Sequence, residues 1–415
     1  MKKLILLTKH YPYDNGEEFI ENEIKYLSNA FDEVIIISTA VANIKVVKDI
    51  PNNVKAFAFK DQQYSYIRYA KYILRSFFYN DKLQEIELKK VFGVRQKMAV
   101  RYVYSRAKFN INRIANSIRY LTLNDDIILY SYWFGDLTLS ALLLSQKLFQ
   151  NRAIIISRAH GYDLYSERNL AEYTPFAEYL LKNINCIFPC SDNGTKYIQK
   201  KWNPPINKVK TAHLGTIDYG NSTAHSRDIF TIVTCSSINE VKRVNLLAEA
   251  LSIVSDELKK KIHWICIGDG PLLGSIRKYA VNYLKKVSID FVGRLSNKDV
   301  LQLYLHKNIS LFVNTSSNEG LPVSIMEAIS FGIPVLATDV GGTKEIVIEN
   351  MNGYLLSKDT TPKIIANKIK MIFELSDNKY SLLCSNARLI WERDYNASVN
   401  YTAFINEILS LKISE

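Results

Sequence analysis

Two glutamates bracket a helix entry in the run Glu319-Gly320-Leu321-Pro322-Val323-Ser324-Ile325-Met326-Glu327. Glu319 falls in a polar turn that closes on Gly320, and Glu327 falls on the helix that follows. A carboxylate accepts well from two neighbouring hydroxyls, so acids on two elements can grip separate parts of one elongated ligand, with sugars as fitting partners. Pro322 suits the first helical turn, where its missing N–H costs nothing. The backbone N–H groups from Leu321 to Ser324 carry partial positive charge and favour a phosphate, and Gly320 lets a ligand approach the main chain. A second candidate is the loop Arg158-Ala-His160-Gly161-Tyr-Asp163. A histidine there can donate to a hydroxyl or share a developing charge.

These groups need a rigid frame. Ile309 to Val313 reads as a buried parallel strand, the helix runs to about Phe331, and Gly332 and Pro334 stop it before a strand at Val335 to Ala337. The same alternation recurs along the chain. Strands are expected at Lys2 to Leu7, Val34 to Ser38, Ile127 to Tyr130, Ala153 to Ser157, Cys186 to Cys190, Val209 to Gly215, Ile229 to Cys235 and Ile262 to Ile267. Strands alternating with helices mean α/β architecture with doubly wound parallel sheets, and both candidate loops then lie at strand carboxyl ends, where such sheets bind ligands. Glu17 to Glu23 reads as the acidic start of a helix whose apolar face is Phe19, Ile20, Ile24 and Leu27. Gly268-Asp269-Gly270-Pro271 reads as a tight strand–helix turn, because Asp269 would repel a pyrophosphate. Gly341-Gly342-Thr343 reads as a second helix start hospitable to anions.

A chain of 415 residues, 47% hydrophobic and 23% charged, accommodates two domains. The expected division is residues 1–215, a linker at 216–228, a second domain at 229–390, and a helical segment at 391–415 that returns to the first. The N-terminal apolar run is too short for a signal peptide and Ile127 to Leu144 is interrupted by Gly135 and Asp136, so a cytoplasmic location is expected. The five cysteines show no paired metal-ligand spacing and are expected as buried thiols, with no metal site. The formal charge is +12. From Phe92 to Asn124 there is no acid, while Arg95, Lys97, Arg101, Arg106, Lys108, Arg113 and Arg119 are present, just after the aromatic tract Tyr64, Tyr66, Tyr69, Tyr72, Phe77, Phe78 and Tyr79. Residues 64–119 therefore suit an anionic membrane surface; charge alone would also fit nucleic acid.

The Glu-x7-Glu run, with Gly-x-Pro directly after the first acid, resembles the donor-site signature of retaining GT-B glycosyltransferases, the large bacterial family of lipopolysaccharide, capsule and exopolysaccharide transferases. The resemblance implies two Rossmann-like domains facing a cleft and a metal-independent enzyme without a cofactor. Its donor would be a UDP- or GDP-type sugar nucleotide and its acceptor a glycan or lipid-linked chain, with work at the inner face of the plasma membrane. By that likeness Glu319 holds donor-sugar hydroxyls, Glu327 holds the ribose, and His160 is the first domain's active-site histidine. Gly16 matches a glycine loop near donor phosphate and acceptor. Lys242 matches a diphosphate-neutralising lysine. Backbone around Val292 and Arg294 would face the base. Ser237 stands where the family has an arginine, which implies a substitute cation, with Arg243 nearest in sequence. A glycoside hydrolase using Glu319 and Glu327, a sugar-nucleotide epimerase and a basic nucleic-acid-binding protein are the alternatives.

Overall fold

The computed structural model describes the chain apart from residues 15, 46–47, 62–65, 80, 123, 221–227, 259–260 and 413–415. It divides into one unit of Met1–His213 with Tyr401–Glu415, and a second of Leu214–Asn400. In the first unit the strands are β1 (Lys2–Thr8), β2 (Glu33–Val41), β3 (Val54–Lys60), β4 (Asp126–Ser131), β5 (Ile154–Ala159) and β6 (Cys186–Pro189). They form one parallel sheet in the order β3-β2-β1-β4-β5-β6. In the second they are β7 (Ile229–Cys235), β8 (Lys261–Ile267), β9 (Val287–Gly293), β10 (Leu311–Asn314), β11 (Val335–Thr338) and β12 (Gly353–Leu356), ordered β12-β11-β10-β7-β8-β9. Counted within its own unit, each sheet has the same Rossmann order, and each reverses direction between its first and fourth strands.

Near-continuous apolar runs make the inner strands, because helices cover both faces of a parallel sheet. Strand alternation divides the work in the first unit. Ile5, Leu7, Ile35, Ile37 and Leu129 pack on helices Val94–Ser117 and Asp136–Leu148. Leu4, Leu6, Val34, Ile36 and Ile128 pack on helix Ile20–Ala30 and on Phe404 and Ile408 of the last helix, Ala397–Ser410. The core of the second unit gathers Phe230, Ile232, Trp264, Leu311, Val313 and Leu336 against helices Val244–Glu257 and Pro362–Phe373.

Several boundaries differ from the sequence reading. Val209 to Gly215 is not a strand; Val209 makes only an isolated bridge to Ile187. The edge strand β3 went unread because Val54 to Lys60 is mostly half-exposed and carries a lysine at each end. Residues 216–220 are no free linker. Thr216 bridges Asn396 and accepts from Trp391 Nε1 at 2.7 Å, and Asp218 pairs with Arg388 at 2.7 Å. A Cβ on Gly215 would lie 2.4 Å from the Ala397 backbone, so this packing requires glycine. Residues 221–227 of the expected linker lie outside the described residues, as does Tyr64. The second unit accordingly extends to Asn400 rather than 390, and the return to the first unit begins at Tyr401 rather than 391. Among the described residues no helix is long and apolar enough to cross a membrane, and the five cysteines are free thiols. Burial pushes the Cys186 and Cys235 thiols up to about 12.

Candidate functional site

In the second unit the sheet order reverses between β7 and β10. The loop after β7 carries Lys242 and the loop after β10 carries Glu319. Their side chains meet: Lys242 Nζ lies 2.7 Å from Glu319 Oε1. That oxygen also accepts from Asn314 Nδ2 at 3.1 Å and from Ser316 Oγ at 2.6 Å. Asn314 is the last residue of β10, so the strand end itself aims the carboxylate. Glu319 is 9% exposed, whereas the Lys242 side chain is 26% exposed. A cavity of about 10 Å³, near the threshold for a single water, is lined by Thr234, Cys235, Lys242, Asn314 and Ser316 among others.

Arg243 does something other than substitute for the missing arginine. It adopts left-handed backbone, with φ 47°. Its guanidinium donates to the carbonyls of Thr315 at 2.8 Å, Ser316 at 3.2 Å and Lys358 at 2.9 Å. Thr315 returns a bond from Oγ1 to the Arg243 carbonyl at 2.9 Å. Arg243 thus stitches the loops after β7 and β10 together, with its cation satisfied by the main chain; Ser237 is exposed.

Glycines set the approach of these loops. A Cβ on Gly268 would lie 1.9 Å from the Ser236 carbonyl oxygen, so the turn after β8 packs directly under the loop after β7. Gly341 has φ +58°, and a Cβ there would lie 2.1 Å from the Glu319 carbonyl oxygen. Gly342 N donates to the Gly320 carbonyl at 2.7 Å. The Gly341-Gly342 turn therefore supports the acid's loop from behind. It is not a second anion site: that N–H is spent, and helix Thr343–Ile346 is one turn long.

Helix Val323–Ser330 follows the acid's loop, with Pro322 as the residue before its first turn rather than inside it. Leu321 and Pro322 are buried, while Gly320, Val323 and Ser324 are half-buried. Glu327 lies on this helix, 7% exposed, and accepts from Asn297 Nδ2 at 2.5 Å. Burial pushes its carboxyl up to about 7, offset in part by the Asn297 bond. Asn297 opens helix Asn297–His306 just after β9, so Glu327 is tied to the segment carrying Val292 and Arg294, both exposed. Sequence reading missed Asn297; its place after a strand's carboxyl end was the available signal.

In the first unit the reversal lies between β1 and β4. The loop after β1 is organised from within by Glu17, which is 1% exposed. Its carboxylate accepts from the backbone N–H of Lys9 at 3.1 Å, His10 at 2.7 Å and Tyr11 at 2.7 Å, and from Trp133 Nε1 of the loop after β4. Glu17 was expected to begin a helix; the helix starts at Ile20, and Glu17 instead turns back under the loop. Gly16 sits at the exposed crest with φ +114°.

His160 follows β5. Its ring stacks on Tyr132 at 5.0 Å and Phe19 at 5.5 Å, with Trp133 tilted at 4.9 Å. Burial and the nearby Arg158 cation hold its pKa down at about 3, so the imidazole is neutral. It bonds to the Tyr132 main chain, and Nε2 is buried without a partner. A neutral ring that donates to a carbonyl through Nδ1 presents Nε2 as an acceptor. Asp163 fixes the loop, accepting from the backbone N–H groups of His160 and Phe134, each at 2.6 Å. Behind this loop Arg158 and Glu23, both fully buried, pair at 3.2 Å and share the Tyr130 hydroxyl.

Residues 220–389 match the family described as glycosyl transferases group 1. That segment contains Lys242, Glu319 and Glu327. Among curated proteins the chain is similar to the putative colanic acid biosynthesis glycosyltransferase WcaL of Escherichia coli, 23% identical over 60% of this chain and 62% of the relative. It is also similar to the GtfA subunit of a UDP-N-acetylglucosamine–peptide N-acetylglucosaminyltransferase of Streptococcus agalactiae, 22% identical over 57% of this chain and 47% of the relative. The chain thus spans less than two thirds of the length of these relatives. Among solved structures, Anabaena Alr3699/HepE in complex with UDP superimposes with a TM-score of 0.67 at 15% identity, covering 99% of this chain and 100% of that one. At that identity the likeness shows the fold: two Rossmann-like domains of GT-B type. Together these findings relate residues 220–389 to the glycosyl transferases group 1 family and the fold to the GT-B type.

Proposed function

We propose that this chain is a retaining, metal-independent glycosyltransferase that moves a sugar from a nucleotide-sugar donor to a glycan or lipid-linked acceptor in the cytoplasm, for bacterial surface polysaccharide. The observation that carries the reading is the Lys242–Glu319 pair at the second unit's reversal point, with the buried Glu327 on the helix that follows. Glu327 receives the ribose hydroxyls in place of Asn297. Donor binding exchanges partners: Lys242 leaves Glu319 for the diphosphate, and Glu319 turns to the sugar hydroxyls. The departing diphosphate is the main charge to stabilise, and Lys242 with the N–H groups of Leu321, Val323 and Ser324 supplies that. Val292 and Arg294 flank the base. His160 accepts a hydroxyl of the reacting sugar through Nε2, and Gly16 leaves room at the loop crest. No cofactor beyond the donor is required. The UDP named for the Anabaena neighbour favours a uridine nucleotide over GDP. The name of the colanic acid relative favours an exopolysaccharide or capsule acceptor.

Calorimetric titration with free UDP tests the two acids. Glu327→Gln should weaken binding about tenfold, one lost charge-assisted bond. Glu319→Gln should bind UDP nearly as the parent does, yet turn over at least about tenfold more slowly. Equal UDP affinities for both variants would refute the assignment.

A further inference from the structure

Beside His160 the first unit holds a cation that its own acids leave alone. Lys9 is the first residue after β1. Its ammonium lies 4.8 Å from the centre of the Trp133 ring and 5.3 Å from that of Tyr162. The two rings stand edge to face, 85° apart with centroids separated by 6.4 Å, so Nζ sits in the corner between them. The three residues come from the loops after β1, β4 and β5, which are neighbours in the sheet. Trp133 is also the wall against which His160 tilts, and the charge on Lys9 helps to keep that imidazole neutral.

The rings fix where the ammonium stands, but a cation–π contact uses none of its three N–H donors. Among the described residues no acid pairs with Lys9 and no carbonyl accepts from its Nζ. Lys3, on the same strand, shows the contrast: it reaches Glu33 at 3.6 Å and Asp125 at 3.1 Å. The acids around Lys9 are committed elsewhere. Glu17 accepts from three backbone N–H groups, that of Lys9 among them, and from the Trp133 indole. Asp163 accepts from the His160 and Phe134 main chain. Lys9 itself is half-buried, where a charge is worth more to a partner than it is in bulk water. The Tyr162 ring beside it is 69% exposed.

We propose that Lys9 and the Trp133–Tyr162 corner form a subsite for an acidic sugar. Lys9 grips a carboxylate or phosphate substituent of the acceptor, while the Tyr162 ring takes the C–H face of its pyranose. The role of acceptor rests on the transferase reading; the charge of the ligand rests on the corner alone. The diphosphate of the donor is a poorer occupant. The proposed function already gives it Lys242 and a helix entry, and it has no apolar face to set against Tyr162.

The test is ligand-observed NMR titration of the full chain with three probes: methyl glucuronide, methyl glucoside 6-phosphate and methyl glucoside. The parent should bind at least one charged probe about tenfold or more tightly than the neutral one, the worth of one charge-assisted hydrogen bond. The better of the two tells a carboxylate from a phosphate. Lys9→Met should bring both charged probes down to the level of methyl glucoside, which it should bind as the parent does. Lys9→Arg should keep the preference, and Tyr162→Ala should weaken all three probes alike. UDP affinity, titrated in parallel, should be the same in every variant. Equal binding of charged and neutral probes by the parent would overturn the proposal, as would binding of none of the three. So would a Lys9→Met variant that retains the preference, or one that loses UDP affinity instead, which would put Lys9 on the donor. A parent that prefers the acidic sugars yet binds no UDP would keep the subsite and remove the transferase reading.

Discussion

The two reversal points of this molecule use the same strand order to opposite electrostatic ends. Between β7 and β10, acid and base face each other: Glu319 is held by Lys242 and two neutral side chains, partners that a ligand can replace. Between β1 and β4, the comparable acid is consumed by the protein itself. Glu17 is wrapped by three backbone N–H groups and an indole, and the loop it fixes closes aromatics around a neutral histidine. The Rossmann frame therefore supplies a place for chemistry but not its sign. The second unit keeps a part-exposed charged pair, the one that the proposed function opens to an anionic ligand. The first spends its charge on rigidity and leaves His160 Nε2 buried without a partner.

That contrast is broken most severely by exchanging the fates of the two acids. Glu17→Ala should destabilise the protein by about 3–5 kcal/mol, since it removes a buried acceptor shared by three backbone N–H groups and an indole. Glu319→Ala removes a carboxylate with fewer donors, one of them a part-exposed lysine that can turn to water, and should cost less, about 1–3 kcal/mol. Denaturant unfolding of the two variants decides the matter. Similar losses of stability would mean that Glu319, too, is chiefly a structural group.

Lys242→Ala should come next in size. If the lysine leaves Glu319 for a diphosphate, UDP affinity should fall about ten- to a hundredfold, one charge-assisted bond of ~1.5–3 kcal/mol. UMP, which lacks the second phosphate, should lose far less. Equal losses for the two nucleotides, measured by calorimetry, would show that Lys242 acts through the fold and not on the phosphates. Arg243→Ala offers the complementary contrast. Its guanidinium holds the Thr315, Ser316 and Lys358 carbonyls, so the loss should register in unfolding before it registers in nucleotide affinity.

The sequence revealed the frame more completely than the contacts. Uninterrupted apolar strands such as Leu4 to Leu7 and Ile229 to Val233 announce themselves because both sheet faces are covered; β3 does not, because an edge strand is half in water. The spacing of Glu319 and Glu327 was equally plain. What local pattern could not give was the partner of each charged group. Nothing near Arg243 in the chain predicts that carbonyls 72, 73 and 115 residues away will claim its guanidinium. Glu17 looked like a helix-start acid because acids do favour that position, and only the tertiary approach of Lys9 to Tyr11 and Trp133 redirects it. His160 was legible as a residue at a strand's end, but its charge state depends on Arg158 and the stacked rings, which no spacing discloses.

The smallest expected effect is also the most specific to the second unit. Burial raises the Glu327 carboxyl from its ordinary 4.5 to about 7. The folded protein therefore holds a proton there that the unfolded chain has lost, and the group's contribution to stability diminishes as pH rises from about 4.5 to 7. Nucleotide binding should respond with the opposite sign. An ionised carboxylate is the better acceptor for two ribose hydroxyls, so UDP affinity should rise through pH 7 and level off above it. With the midpoint near 7, the ionised fraction grows about tenfold between pH 6 and 8, which bounds the gain in affinity. The phosphates of UDP titrate in the same range, but Glu327→Gln carries the identical nucleotide. Subtracting its profile from the parent's isolates the carboxyl. Parallel profiles would remove Glu327 from the ribose; a parent profile that steepens below pH 7 and flattens in the glutamine variant would tie the raised carboxyl to the ligand, against a first unit whose histidine stays neutral throughout that range.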